Sequence, residues 1–313
     1  MPHIVPVAVI QATPVFFDRE ATTEKAVELI HASAGRGARL ILLPEAFIPA
    51  YPRGFSFGTV VGSRTAGGRE LWRMYWDAAV DVPGPATQAI GEACRELGVH
   101  AAVGVVERTS DAGGTLYCAL VYFGPDGRVL AVHRKLKPTA SERLIWGEGD
   151  GSSLRVHATP VGRIGGLICW ENYMPAARMA LYAQGLQIYL APTADARDTW
   201  QATLRHIACE GRCFVLASNQ FVPAGAYPPG LLAHAAENEP RHEYCRGGSA
   251  IVSPLGEVIA GPLFDQEGEL RADLDLDDVT RARLDFDVSG HYARPDIFQL
   301  TVNTAPKPPV RFE

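Results

Sequence analysis

The chain has 313 residues, 47% of them hydrophobic and 20% charged, with a formal net charge of −6. That length and apolar share are enough for a sizeable core, and in an α/β architecture they are compatible with one domain over 1–313. The acidic balance leaves no footprint for nucleic acid, the only compact basic cluster being HRKLK at 133–137, and no stretch approaches the ~20 apolar residues of a membrane span. The opening MPHIVPVAVIQ lacks a basic flank before an uninterrupted apolar run, so the expected location is cytoplasmic.

In chain order, residues 5–11 (VPVAVIQ) read as a strand and 22–34 as a helix, with Ala26, Leu29 and Ile30 on its apolar spacing and Gly35 and Gly37 ending it. Residues 39–45 (RLILLPE) read as a second, buried strand ending at Glu45, so the chain begins strand–helix–strand, which implies a parallel pair. A helix at 85–98 and a strand at 100–107 repeat the alternation, which returns in 176–184, 187–191, 199–211 and 213–219. Residues 119–131 and 249–260 each place a Pro-x-Gly turn between apolar strands, so both halves contain an antiparallel hairpin and the sheets are mixed. The predicted fold is a four-layer α-β-β-α sandwich: two mixed sheets face to face, helices outside. Two stretches, 50–80 and 222–246, read as long irregular loops rich in Gly, Pro, Tyr and Arg. Their Phe55, Phe57, Trp72, Tyr75, Trp76, Tyr227, Arg241 and Tyr244 have the composition of an interface.

Six cysteines stand at 94, 118, 169, 209, 213 and 245. Only Cys209 and Cys213 have a spacing that a metal could use, and no second pair lies nearby, so no metal and no cofactor is expected. Cys169 is different. In GRIGGLICWEN it follows the apolar end of a strand and precedes a helix that Pro175 suits as a first turn, which points its thiol toward the carboxyl edge of a sheet. Ligands bind at such edges, and a helix N-terminus there would favour the thiolate.

Three charged groups complete a candidate site: Glu45 after LILLP, Lys135 after the strand RVLAVHR, and Glu142 in KPTASERLIWGEGDG. Lys135 and Lys137 share one face of an extended segment, so periodicity cannot separate them. Together PEAF at 44, HRKLKPT at 133, ER at 142 and CWEN at 169 resemble the nitrilase branch of the carbon–nitrogen hydrolase superfamily in order and spacing. The resemblance continues through WGEGDG, APTADARDTW, LRHIACEGRCFVLASNQ and DVSGHYARPDIF, and so covers nearly the whole chain.

The resemblance implies hydrolysis of an aliphatic or arylaliphatic nitrile by water to the acid and ammonia, through a thioimidate and an acyl thioester. Cys169 would be the nucleophile, Glu45 the base, Lys135 the cation (the family's His-Arg-Lys pattern favours it over Lys137) and Glu142 the group that orients that lysine. Tyr51 and Trp170 would line the substrate, with the Trp170 N–H as a further donor. The family also implies a homodimer and higher spiral assemblies, with a tail at about 285–313 used in assembly. An amidase or carbamoylase, or a cyanide dihydratase, would use the same cysteine. A papain-like enzyme would instead pair Cys169 with His206 or His291.

Overall fold

A computed structural model describes residues 3–109, 113–232, 243–308 and 310. The first half runs β1 (Ile4–Gln11), α1 (Arg19–Gly35), β2 (Leu40–Leu42), a short hairpin of β3 (Thr59–Val60) and β4 (Ser63–Arg64), α2 (Ala66–Ala78), β5 (Val80–Asp81), α3 (Pro85–Leu97), β6 (His100–Arg108), β7 (Leu116–Phe123) and β8 (Val129–Arg134). The second runs β9 (His157–Thr159), β10 (Gly162–Gly166), α4 (Pro175–Tyr182), β11 (Ile188–Leu190), α5 (Asp198–Gly211), β12 (Phe214–Ala217), β13 (Phe221–Pro223), α6 (Pro229–Leu232), β14 (Glu243–Val252), β15 (Val258–Phe264), β16 (Gly268–Asp275) and α7 (Asp277–Ala282).

One sheet has the order β16-β1-β2-β6-β7-β8, with β5 paired to β6; the other has the order β13-β14-β12-β11-β10-β9, with β15 paired to β14. β1, β2 and β6 are parallel, as are β5 with β6 and β10 with β11 and β12, and the remaining neighbours are antiparallel. The two-residue period of a strand sorts the layers. Val7 and Val9 of β1 pack between the sheets with Leu40, Leu120, Ile164, Leu190, Leu216 and Ile251, whereas Ala8 and Ile10 face outward onto Ile30 of α1 and Ile90 of α3. On the far side, Tyr189 and Val215 meet Leu181 of α4 and Trp200, Leu204 and Ile207 of α5. These are the four layers of the expected sandwich.

Two readings need correction. The stretch 50–80 is not irregular throughout: it contains the β3–β4 hairpin and the helix α2, capped by the Thr65 hydroxyl on Gly68 N at 3.0 Å. Two glycines in its first turn hide the helix, although Leu71, Tyr75 and Ala78 are buried at helical spacing. The stretch 222–246 holds β13, α6 and the start of β14. Its Arg241 lies outside the described residues. β16, unassigned from the sequence, returns from the second half to pair antiparallel with β1, Ile4 opposite Asp275, and so completes the first sheet.

Candidate active site

Glu45, Lys135, Glu142 and Cys169 meet where the carboxyl ends of the two sheets face each other. Glu45 leaves the first sheet three residues beyond β2 and is fully buried. The chain can pass there because Gly104 on β6 has no side chain: a Cβ would lie 2.1 Å from Pro44 O and 2.8 Å from Glu45 Cα. From the second sheet, Gln220 Nε2 donates to Glu45 O at 2.8 Å.

Lys135 follows β8 directly and is as buried as Glu45. Its Nζ donates to Glu45 Oε1 and to Glu142 Oε2, each at 2.7 Å, and lies 5.7 Å from the centre of the Trp146 ring. The second Glu142 oxygen accepts from the Tyr51 hydroxyl at 2.6 Å, and Thr139 N donates to Oε2 at 2.6 Å. Lys137, two residues on, is half exposed and paired with Glu148. Burial separates the two lysines that periodicity left equivalent.

Cys169 opens a single turn of 3-10 helix, Cys169–Tyr173, beyond the end of β10. Its φ of 51° is left-handed, a conformation that costs a non-glycine residue energy. Ala46, Ala50 and Ala140, next to Glu45, Tyr51 and nearly next to Glu142, also have positive φ. Backbone strain is thus concentrated at this site.

The α-helix N-terminus expected to favour the Cys169 thiolate does not lie at that residue. α4 begins only at Pro175, and Cys169 N is occupied by Pro192 O at 2.8 Å. Burial and the neighbouring Glu45 carboxylate push the thiol pKa up, with Lys135 opposing. Burial also raises Glu45, against the pull of Lys135, while Glu45 and the other anionic groups around Lys135 overcome its burial and hold it well above the usual lysine range. These directions favour a protonated thiol beside a protonated lysine. Thr193 Oγ1 donates to Cys169 Sγ at 3.2 Å.

Two residues of CWEN and one of HRK were not singled out in the sequence, and they tie the site together. Buried Glu171 accepts from Ile168 N at 2.7 Å, Leu136 N at 2.6 Å and the His133 Nε2 position at 3.1 Å, joining the segment that carries Cys169 to the one that carries Lys135. Asn172 Nδ2 donates to Cys169 O at 2.7 Å and Leu167 O at 2.9 Å. Acidic residues beside a candidate nucleophile were the available signal.

A cavity of about 450 Å³ opens onto Cys169, lined also by Tyr51, Arg53, Glu142, Trp170 and Arg197. Trp170 is 40% exposed, its Nε1 donating to Asp195 Oδ2 at 2.8 Å and its ring under the Arg197 guanidinium at 4.8 Å. His206 is largely exposed and bonded to Glu210, and His291 lies against Tyr292; neither lines the cavity. A larger hollow of about 760 Å³ lies away from Cys169, against Asp81, Glu107, Arg108 and Arg134.

A buried thiol beside a carboxylate, with a buried cation at hand, is the kind of arrangement that covalent cysteine chemistry uses. The model of the carbon–nitrogen hydrolase family matches residues 6–284. An aliphatic nitrilase of Sinorhizobium fredii is 51% identical over 96% of each chain, and a bifunctional nitrilase/nitrile hydratase of Lupinus angustifolius is 49% identical over 97% of this chain and 87% of its own. Among solved structures, a carbon–nitrogen hydrolase of Helicobacter pylori superposes with a TM-score of 0.74 at 20% identity, covering 94% of this chain and 97% of that one. The NitFhit protein of C. elegans superposes at 0.73 and 22% identity, over 96% of this chain and 67% of that one. The chain belongs to the carbon–nitrogen hydrolase family and, within it, stands with the nitrilases.

Proposed function

We propose that the protein converts an organic nitrile, aliphatic or arylaliphatic, and two waters into a carboxylic acid and ammonia. The observation that carries this reading is the buried Glu45–Lys135–Glu142 array beside the Cys169 thiol, in a chain about half identical to nitrilases. Glu45 takes the thiol proton as Sγ attacks the nitrile carbon. The C≡N bond loses one π component, and nitrogen receives the proton to give the thioimidate. Lys135, itself fully buried, stays charged and stabilises the negative charge that develops on nitrogen. Glu45 then deprotonates a water that adds to the same carbon, and the C–N bond breaks to release ammonia and leave the acyl thioester. A second water, activated in the same way, cleaves the C–S bond and restores the thiol. Glu142 holds Lys135 through a second bond to its Nζ, and Tyr51 holds Glu142; Tyr51 and Trp170 wall the substrate.

Loss of the C–S bond before the C–N bond would release an amide instead, and the bifunctional names of several relatives favour testing for it. Ammonia, acid and amide measured across a nitrile panel decide the matter. Ammonia and acid from nitriles, abolished by Cys169→Ala, support the reading; turnover of amides with no turnover of any nitrile overturns it.

We further propose a homodimer that builds larger assemblies, a cytoplasmic location and a single domain over 1–313 whose tail at about 285–313 serves in assembly. Among the described residues no helix is long and apolar enough to cross a membrane. Exposed Tyr292, Ile297, Phe298 and Leu300 support the tail's role. Light scattering across a dilution series tests it: a monomeric mass with full activity overturns the assembly, and a truncation at 285 that leaves the mass unchanged overturns the tail's part in it.

A further inference from the structure

The cavity over Cys169 carries a cation that the reaction does not use. Arg53 lies two residues after Tyr51 in YPRG, partly buried, and its guanidinium is bonded to the backbone oxygen of Ala194 and stacked 5.4 Å from the centre of the Tyr51 ring. No carboxylate pairs with it among the described residues. The other charges on the wall are matched: Arg197 with Asp195, Arg246 with Asp265, and Glu142 with Lys135. A guanidinium has five N–H donors, and the Ala194 oxygen, the Tyr51 ring and the neighbouring Cys245 thiol are fewer partners than it can bond, none of them a carboxylate. Placing such a group in a substrate cavity costs desolvation that only an anionic or strongly accepting ligand recovers.

We infer that Arg53 forms a carboxylate subsite, and that the protein selects nitriles bearing a carboxylate a few carbons from the cyano group. This rests on the nitrilase reading and names its substrate class. One cavity holds both Cys169 and Arg53, so a short cyano acid meets the thiol with its nitrile carbon while its carboxylate pairs with the guanidinium in the fork geometry that arginine offers. The Arg197 side chain, already neutralised by Asp195 at the mouth of the same cavity, adds no competing net charge.

The test compares glutaric acid mononitrile with its neutral analogue in which an isopropyl group replaces the carboxylate. In the wild type, kcat/KM for the acid is expected to exceed that for the analogue by about tenfold or more, the worth of a charge-assisted pair in a partly dry site. In Arg53→Met that ratio collapses toward one, and in Arg53→Lys it recovers in part. An unchanged ratio in Arg53→Met, or a wild type that prefers the neutral analogue, overturns the subsite while leaving nitrile hydrolysis intact. If neither nitrile turns over but amides do, it is the nitrilase reading that fails. A wild-type measurement independent of turnover and of how the variants fold completes the test: glutarate is expected to slow alkylation of Cys169 by neutral iodoacetamide, and pentanol at equal concentration is not. Equal protection by both, or by neither, also overturns the subsite.

Discussion

Replacing Lys135 by Met keeps the length of the side chain and removes the charge that two buried carboxylates share. Lys135 and Glu45 are both fully buried, and each bond from Nζ to Glu45 and Glu142 is 2.7 Å. Breaking a buried pair from one side strands the partner's charge, at a cost of ~3–5 kcal/mol. With ~2.1 cal/mol/K of unfolding entropy per residue, a chain of 313 residues has about 0.66 kcal/mol/K, so Tm falls by about 5–8 °C. Turnover of nitriles is expected to drop by roughly 10²–10³-fold, as when a preorganised donor to developing charge is removed. Lys137→Met, at a half-exposed pair with Glu148, costs ~0–1 kcal/mol and little turnover.

The same variant has a signature in pH. Without Lys135, burial and Glu142 raise Glu45 with only the Cys169 hydrogen bond to oppose them, and a carboxyl whose folded pKa lies above its unfolded value contributes stability that is present at low pH and lost as pH rises through the folded pKa. The stability gap between wild type and Lys135→Met therefore widens from acid toward neutral pH. Thermal melts over that range, paired with initial rates of ammonia release, measure both effects. A gap that narrows as pH rises, or a Lys137→Met variant as damaged as Lys135→Met, refutes the reasoning.

Cys169→Ser is expected to fold and to lose essentially all turnover, and intact-mass analysis of the wild type with a slow nitrile should place the adduct on Cys169; an adduct on Cys118 or Cys245 contradicts the assignment. Because burial and Glu45 raise the Cys169 thiol, its alkylation by iodoacetamide should keep accelerating as pH rises through the ordinary thiol range, and a rate already at its plateau near neutral pH would mean a resting thiolate. Gly104→Ala puts a Cβ 2.1 Å from Pro44 O, so the Glu45 backbone must move; a loss of ~1–3 kcal/mol and a fall in kcat are expected, and a variant with full kcat would show that this contact does not set Glu45. Glu171→Gln leaves a single oxygen for donors that now reach two, costing ~1–3 kcal/mol, and it should lower kcat with KM little changed; melts and kinetics that match the wild type would remove Glu171 from the support of Cys169 and Lys135.

What was legible in the sequence was whatever one residue type can signal locally. Apolar runs such as LILL at 40 and the Pro-x-Gly turns gave the strands and both hairpins because burial on two faces and tight turns each demand particular side chains. The order of Glu45, Lys135, Glu142 and Cys169 was visible through a family pattern; that Lys135 rather than Lys137 is buried was not, since both share one face of the strand. α2 was hidden by Gly67 and Gly68, and β16 by a sequence, GELRADLD, with a single buried residue, Leu274. Glu171 was passed over because its bond to Leu136 N, on a segment 35 residues away, has no sequence spacing to betray it.

The same limit explains how the site is held across two sheets that meet mainly through apolar side chains. Apolar packing is non-directional and fixes distance better than register, yet Glu45 and Lys135 come from one sheet and Cys169 from the other. A polar seam supplies the direction. Gln11, the last residue of β1, accepts at Oε1 from Gly248 N and Ser249 N at 3.0 Å each and from Ser249 Oγ at 2.8 Å, and Ser218 Oγ donates to Ile10 O at 2.6 Å. Gln220 then reaches Glu45 O itself. Each of these bonds joins the carboxyl ends of the sheets, where the reacting groups stand, and each is buried, so a sliding of one sheet over the other would leave polar groups unpaired in the interior. The cost of that loss holds the thiol, the carboxylate and the lysine in register, and it allows strained backbone at Ala46 and Cys169 to persist beside them.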